Sequence, residues 1–186
     1  MYEMRNILVL SILLFFVSSN LSAQNRDKIP FSERIYFGGG FGLSFGDITN
    51  IEVSPHVGYK ITEDASVGVQ LQYQFLNADY YYYGAHFKYQ TTIYGAGPFA
   101  RYMLGDRYFL MSELEFLSLE KKYFDVMNFY EDDNGRFVYT SVLVGGGIFQ
   151  QTGDRSGVYM ALLYNINDSS NSPYSSPLIF RMGFSF

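Results

Sequence analysis

Apolar and polar residues alternate along most of the chain after residue 33, with a period of two rather than the period of a helix. The stretch SVGVQLQYQFL shows the pattern most clearly, because glycine or glutamine separates its apolar residues Val67, Val69, Leu71, Tyr73 and Phe75. Successive side chains of a β-strand point to opposite faces. The alternation therefore predicts strands that each have one apolar face.

The same alternation recurs in eight segments, at residues 34–46, 51–61, 66–76, 85–104, 108–118, 137–149, 157–167 and 177–186. In the fourth segment we assign the apolar face to Tyr94, Ala96, Pro98, Ala100 and Tyr102. Each segment is long enough to supply the nine to eleven residues that a tilted strand needs to cross a bilayer. The pattern predicts an all-β, eight-stranded antiparallel up-and-down barrel.

The connections between the segments differ in length. TEDA, GDR and QTGDRS are short, whereas NADYYYYG, residues 120–136 and DSSNSPYSS are longer. Short turns at one rim and long loops at the other are typical of outer-membrane barrels. An even number of strands returns both termini to the short-turn rim, which we therefore expect to be periplasmic.

The residue types on the two faces indicate which face contacts lipid. Charged residues form 17% of the chain, below the roughly 25% usual for soluble domains, and none of the assigned apolar positions is charged. The opposite face is mostly glycine, serine, glutamine and alanine, which suits a confined interior. We therefore expect the apolar face to contact lipid and the sheet to close, since lipid cannot hydrate an open edge. The alternative is a soluble lipocalin-like barrel with its apolar face inside.

The beginning of the chain has the features of an export signal. Arg5 precedes an apolar run at residues 7–17, and small residues lead to a cleavage site after Ala23. We expect residues 1–23 to be a signal peptide, residues 24–33 a periplasmic lead-in and residues 34–186 the barrel domain. The chain has no cysteine, so it has no disulfide or thiolate metal site, and we expect no cofactor. Its net charge of -5 argues against nucleic-acid binding.

Charged residues on the inward face balance in sign. They are Glu52, Glu113 and Glu115 against Lys60, Arg101 and Arg181. Buried charges are tolerated when they are paired. The sequence therefore predicts an interior salt-bridge core, with Arg101 near Glu113, and a plugged lumen rather than an open channel.

Other candidate sites carry weaker signals. Glu52, Ser54 and His56 have the residue types of an acyl hydrolase, but they share the inward phase, where a hydroxyl would not meet a lipid ester. His86 alone does not make a metal site, and EDDNG lacks the spacing of an EF-hand. The two GGG triplets fit no phosphate-binding motif. The consecutive tyrosines of DYYYY suggest an amphipathic surface-binding loop, at Tyr80, Tyr81, Tyr82 and Tyr83.

With these features the chain resembles the small outer-membrane β-barrel proteins of the OmpX-like and OmpW-like kind. The resemblance rests on GPFARYML and on the last strand, which looks like an assembly signal at Phe180, Met182, Phe184 and Phe186. It implies contact with outer-membrane lipid, and insertion by the barrel assembly machinery with periplasmic chaperones.

The resemblance implies no single activity, because such proteins include adhesins, pores, membrane tethers and a few lipid-modifying enzymes. We expect a non-enzymatic outer-membrane protein, structural or surface-binding through its loops. The alternatives are a narrow pore for small solutes and, with less support, a lipid hydrolase or a soluble lipocalin-like barrel.

Overall fold

The structure, a computed structural model, describes residues 30–44, 48–82, 85–124, 135–174 and 176–186. The expected signal peptide lies outside these residues. The elements are α1 (Phe31–Arg34), β1 (Ile35–Ser44), β2 (Ile48–Lys60), β3 (Ala65–Tyr82), β4 (Ala85–Leu104), β5 (Tyr108–Glu120), α2 (Lys121–Phe124), β6 (Arg136–Gln151), β7 (Gly157–Asn165) and β8 (Leu178–Ser185). No helix in the described part of the chain is long and apolar enough to span a membrane.

The eight strands form a closed antiparallel barrel in which each strand pairs with its neighbours in sequence. Closure brings the first strand beside the last, with Gly38 opposite Ser185 and Gly40 opposite Gly183. Phe37 and Phe186 complete this seam, because the backbone N–H of each donates to the carbonyl of the other at 2.8 Å. The predicted eight-stranded up-and-down barrel is confirmed.

Where the structure describes them, the side chains of the strands alternate between the outside and the lumen, as the period of two requires. On β7 the side chains alternate strictly between buried and exposed. On β4 the aromatic Tyr94 and Tyr102 are exposed while Phe99 and Arg101 are buried, which is the phase assigned from the sequence. The phase assigned as apolar therefore faces outward, and the opposite phase, which carries the buried polar and charged residues, faces the lumen.

The connection predicted over residues 77–84 is mostly strand. β3 continues to Tyr82 and β4 begins at Ala85, with Asp79 opposite Lys88 at the end of the hairpin. Aromatic residues favour the extended conformation, so the tyrosine run prolongs the ladder instead of ending it. The side chains of Tyr80 to Tyr82, the whole of Tyr83 and the side chain of His86 lie outside the described residues. EDDNG is described only at its final glycine.

The glycine triplets allow strands and side chains to approach closely. A Cβ atom on Gly38 would collide with the His56 ring and the carbonyl oxygen of Phe184. One on Gly147 would meet the carbonyl oxygen of Met160 and the ring of Phe109. Glycine at these places has a packing role in a narrow barrel.

Candidate functional site: a charged cluster in the barrel lumen

The inward side chains of β5 divide the lumen into layers. Glu113 and Glu115 occupy the middle of the strand, and both are buried. Apolar side chains lie on either side of them, with Phe109 and Met111 toward the short-turn rim and Leu117 and Leu119 toward the long-loop rim. These belong to two apolar clusters inside the lumen. The carboxylates are thus held between two apolar layers.

Arg181 of β8 is the cation of this middle layer. Its Nη2 contacts Glu115 and lies 3.5 Å from Glu113, and its Nη1 lies 3.7 Å from Glu52 of β2. Arg181 is only 8% exposed. One guanidinium therefore ties β8 across the lumen to β5 and to β2.

Tyr174, in the connection between β7 and β8, completes the cluster. Its hydroxyl donates a hydrogen bond to Glu115 Oε2 at 2.7 Å and accepts one from Arg181 Nη2 at 3.3 Å. Burial, together with the neighbouring Glu115 carboxylate, raises the pKa of Tyr174 well above its ordinary value. The hydroxyl therefore stays protonated and remains a donor at neutral pH.

Replacing Tyr174 by phenylalanine should lower the free energy of unfolding by about 1.5 to 3 kcal/mol, the range for a hydrogen bond to a charged group. The ring volume is kept while the hydroxyl that donates to Glu115 is lost. Far-UV circular dichroism in a urea titration measures the difference. The same change at the exposed outward Tyr164 is the matched control and should have little effect. Equal stabilities for the two variants would contradict the role given to Tyr174.

The structure brings four of the six predicted core residues together: Glu52, Glu113, Glu115 and Arg181. Arg101 does not pair with Glu113. The register of β4 and β5 places Phe99 opposite Glu113 and Arg101 opposite Met111, so Arg101 lies one inward position closer to the short-turn rim. Its guanidinium carbon instead lies 4.9 Å from the ring centres of Phe109 and Tyr159.

Lys60 also lies outside the cluster. It is the last residue of β2, opposite Ser66, and its side chain is exposed at the short-turn rim. Tyr174 is a member of the cluster that the sequence did not reveal, because it is one residue of a polar connection with no periodicity.

The residues considered for hydrolase chemistry face the lumen. Ser54 and His56 are buried, and the ring centre of His56 lies 5.5 Å from that of Phe99 and 6.1 Å from that of Tyr159. His56 Nε2 has no hydrogen-bond partner in the described part of the structure. Neither a nucleophile nor an acid is joined to this histidine there. The described residues also contain no group of side chains suited to a metal ion.

Fold and interior together define the class: an eight-stranded up-and-down barrel with an apolar outside and a filled, charged lumen. Among solved structures the chain is similar to the N-terminal β-barrel domain of OprF from Pseudomonas aeruginosa, with a TM-score of 0.46 and 15% sequence identity. The similarity covers 82% of this chain and 96% of that domain. No family model and no curated protein matches the sequence, so the resemblance to OmpX-like and OmpW-like proteins stays a hypothesis.

Proposed function

We propose that the protein is an integral outer-membrane barrel without enzymatic activity, which acts structurally or binds at the cell surface through its long loops. The observation that carries this proposal is the exposed apolar surface around the barrel. Every strand contributes large exposed hydrophobic side chains, for example Phe37, Val57, Leu71, Tyr102, Leu110, Val144, Leu162 and Phe180. Soluble monomers rarely expose a continuous apolar surface larger than a few hundred Å².

The height of this surface suits a bilayer. On β7 and just beyond it, exposed apolar residues run from Val158 to Ile166, about 26 Å along an extended strand. At the usual tilt of about 40° this corresponds to roughly 20 Å along the barrel axis, near the apolar band of about 25 Å in outer-membrane barrels.

Charged side chains are found on the outer face at the edge of the apolar surface. Arg136 lies over the Tyr94 ring at 4.5 Å and forms an ion pair with Glu120 at 3.3 Å. It also donates to the carbonyl oxygens of Thr92 and Ser118, at 2.7 and 2.6 Å. An arginine satisfied in this way beside an aromatic ring fits the boundary between lipid and water.

The filled lumen favours a structural role over transport. Arg181 and its carboxylates cross the lumen between two apolar layers. In a planar bilayer we expect no steady current through the purified protein. Steady single-channel currents would support the alternative, a narrow pore for small solutes.

Membrane integration is tested by cell fractionation and gel migration. The protein should be recovered with outer membranes, and its unboiled band should migrate differently from the boiled one because such barrels stay folded in cold detergent. Recovery in the soluble periplasmic fraction with identical migration would instead indicate a lipocalin-like barrel. For the non-enzymatic role, His56→Ala should leave lipid A acylation unchanged.

The last strand carries the proposed assembly signal, whose residues Phe180, Met182, Phe184 and Phe186 are all exposed on the outer face. In this proposal the barrel assembly machinery and periplasmic chaperones are its partners, outer-membrane lipid surrounds the barrel, and both termini are periplasmic.

Deleting Phe186 should reduce the amount of folded protein in the outer membrane several-fold. The deletion removes both hydrogen bonds to Phe37 and the ring stacked on Phe184 at 6.0 Å. The unboiled gel band from outer membranes measures the effect. Phe186→Ala keeps the backbone bonds and removes only the ring, so it separates side-chain recognition from strand pairing. Normal insertion of both variants would count against the signal.

A further inference from the structure

A cavity of about 290 Å³ opens at the short-turn rim of the barrel. Arg101, Tyr36, Ser66, Lys60 and Ser185 contribute to its wall. Tyr36 and Ser66 share a hydrogen bond of 3.0 Å between their hydroxyl oxygens. The cavity therefore combines a buried guanidinium with a pair of hydroxyl groups.

Arg101 differs from Arg181 in having no carboxylate within ion-pair distance among the described residues. It is 7% exposed, and among the described residues it forms no ion pair with a carboxylate. Its Nε is buried without a hydrogen-bond partner, and its Nη2 donates only to the sulfur of Met111 at 4.0 Å. Glu113 acts on it electrostatically from beyond ion-pair distance.

A buried cation without a partner is unfavourable. The rings of Phe109 and Tyr159, each 4.9 Å from the guanidinium carbon, offset only part of this cost. Their faces cannot accept the in-plane hydrogen bonds that a guanidinium donates. An anion that reached Arg101 through the cavity would supply both the missing charge and the missing acceptors.

The acidic residues of the cavity are in its turns. Glu63 and Asp64 belong to the turn between β2 and β3, and Asp154 to the turn between β6 and β7. The carbonyl of Asp64 accepts from the N–H of Met103 at 2.8 Å, so its backbone is level with a residue two positions beyond Arg101. The acids therefore lie toward the opening, together with the exposed Lys60 and Arg155, and the buried Arg101 lies toward the interior.

We propose that this cavity binds a small oxyanion, a carboxylate or a phosphate group, with Arg101 as its principal ligand. The planar guanidinium matches the paired oxygens of either group. The hydroxyls of Tyr36 and Ser66 supply further hydrogen bonds, and Lys60 supplies charge at the entrance. Such a group is carried by a free anion or by a lipid headgroup at the rim.

The test is a nuclear magnetic resonance titration of the arginine Nε–H signals of the full barrel in a neutral detergent. Inorganic phosphate and acetate are added at constant ionic strength, with chloride as the reference. We expect one saturable shift, assigned to Arg101 by its loss in Arg101→Gln, and unchanged in Arg107→Gln, which removes an exposed arginine from a turn at the same rim. A shift that does not saturate, or that persists in Arg101→Gln, would overturn the proposal.

Lys60→Gln keeps the test decisive if Arg101→Gln does not fold. Because Lys60 is exposed at a strand end, the barrel should fold normally and bind the anion about two- to fivefold more weakly. Unchanged affinity in Lys60→Gln together with an Arg101 signal that does not respond to the anion would overturn the proposed site.

Bicelles with and without phosphatidylglycerol, in phosphate-free buffer, identify the source of the anion. A shift only with phosphatidylglycerol supports a lipid headgroup, and a shift only with phosphate or acetate supports a free anion.

Discussion

Replacing Leu162 by arginine should destabilise the barrel in phospholipid vesicles by about 2 to 4 kcal/mol, the cost of a cation on the lipid face at the middle of a bilayer. Leu162 is 49% exposed in the middle of β7, and its strand neighbours Gly146 and Phe180 offer no carboxylate. The fraction of heat-modifiable protein along a urea titration measures the loss. The chain has no tryptophan, so the gel shift replaces fluorescence as the probe.

Ile166→Arg is the matched control for that experiment. Ile166 is exposed on the same side of the barrel but lies just beyond the end of β7, where the cost of a cation falls to about 0 to 1 kcal/mol. A lipid environment predicts a clear difference between the two variants. If both are as stable as the original protein and both remain in solution without detergent, the apolar surface does not face lipid.

The second large effect is expected for Arg181→Met, which should lower the free energy of unfolding by about 3 to 5 kcal/mol. The substitution keeps an unbranched side chain but removes the only cation within 4 Å of Glu113 and Glu115 among the described residues. Glu52, Glu113 and Glu115 would then lie close together in the lumen without the arginine that pairs with them. Urea unfolding in the same vesicles measures the change.

A double variant distinguishes lost charge pairing from lost packing. Adding Glu115→Gln to Arg181→Met removes one of the unpaired charges, so the double variant should be more stable than Arg181→Met alone. Arg107→Met, which removes an exposed arginine from a turn, should change stability by less than about 0.5 kcal/mol. If the second substitution destabilises further, the charge interpretation is wrong.

Much of the architecture could be predicted because successive side chains of a strand point to opposite faces. Whether a residue number is odd or even, which we call its parity, therefore determines which side chains of a strand face outward. On β7 the alternation is strict, and on β8 the same parity correctly places Arg181 inside. The prediction failed at the β3–β4 hairpin, where NADYYYYG contains turn-forming residues but mostly continues the ladder. Local composition gave conflicting signals there, because asparagine, aspartate and glycine favour a turn while tyrosine favours a strand, and pairing between the two strands decides where the hairpin ends.

The alternation of side chains along a strand could not predict which interior charged residues pair with each other. Inward residues are stacked along the axis, and the height of each depends on strand register around the whole barrel. One inward position separates Arg101 from the level of Glu113, and this offset changes an expected ion pair into contacts with aromatic rings. Tyr174 reaches Glu115 from a connection whose path the sequence does not specify.

The seam between Phe37 and Phe186 also sets the order of events in folding. These residues are at opposite ends of the barrel domain, and their mutual hydrogen bonds cannot form until Phe186 lies beside β1. Closing so long a loop is entropically costly and late. Until that seam forms, β1 and β8 each keep an unpaired edge, so the pairing of the two strands that are farthest apart in sequence removes the last open edges of the sheet.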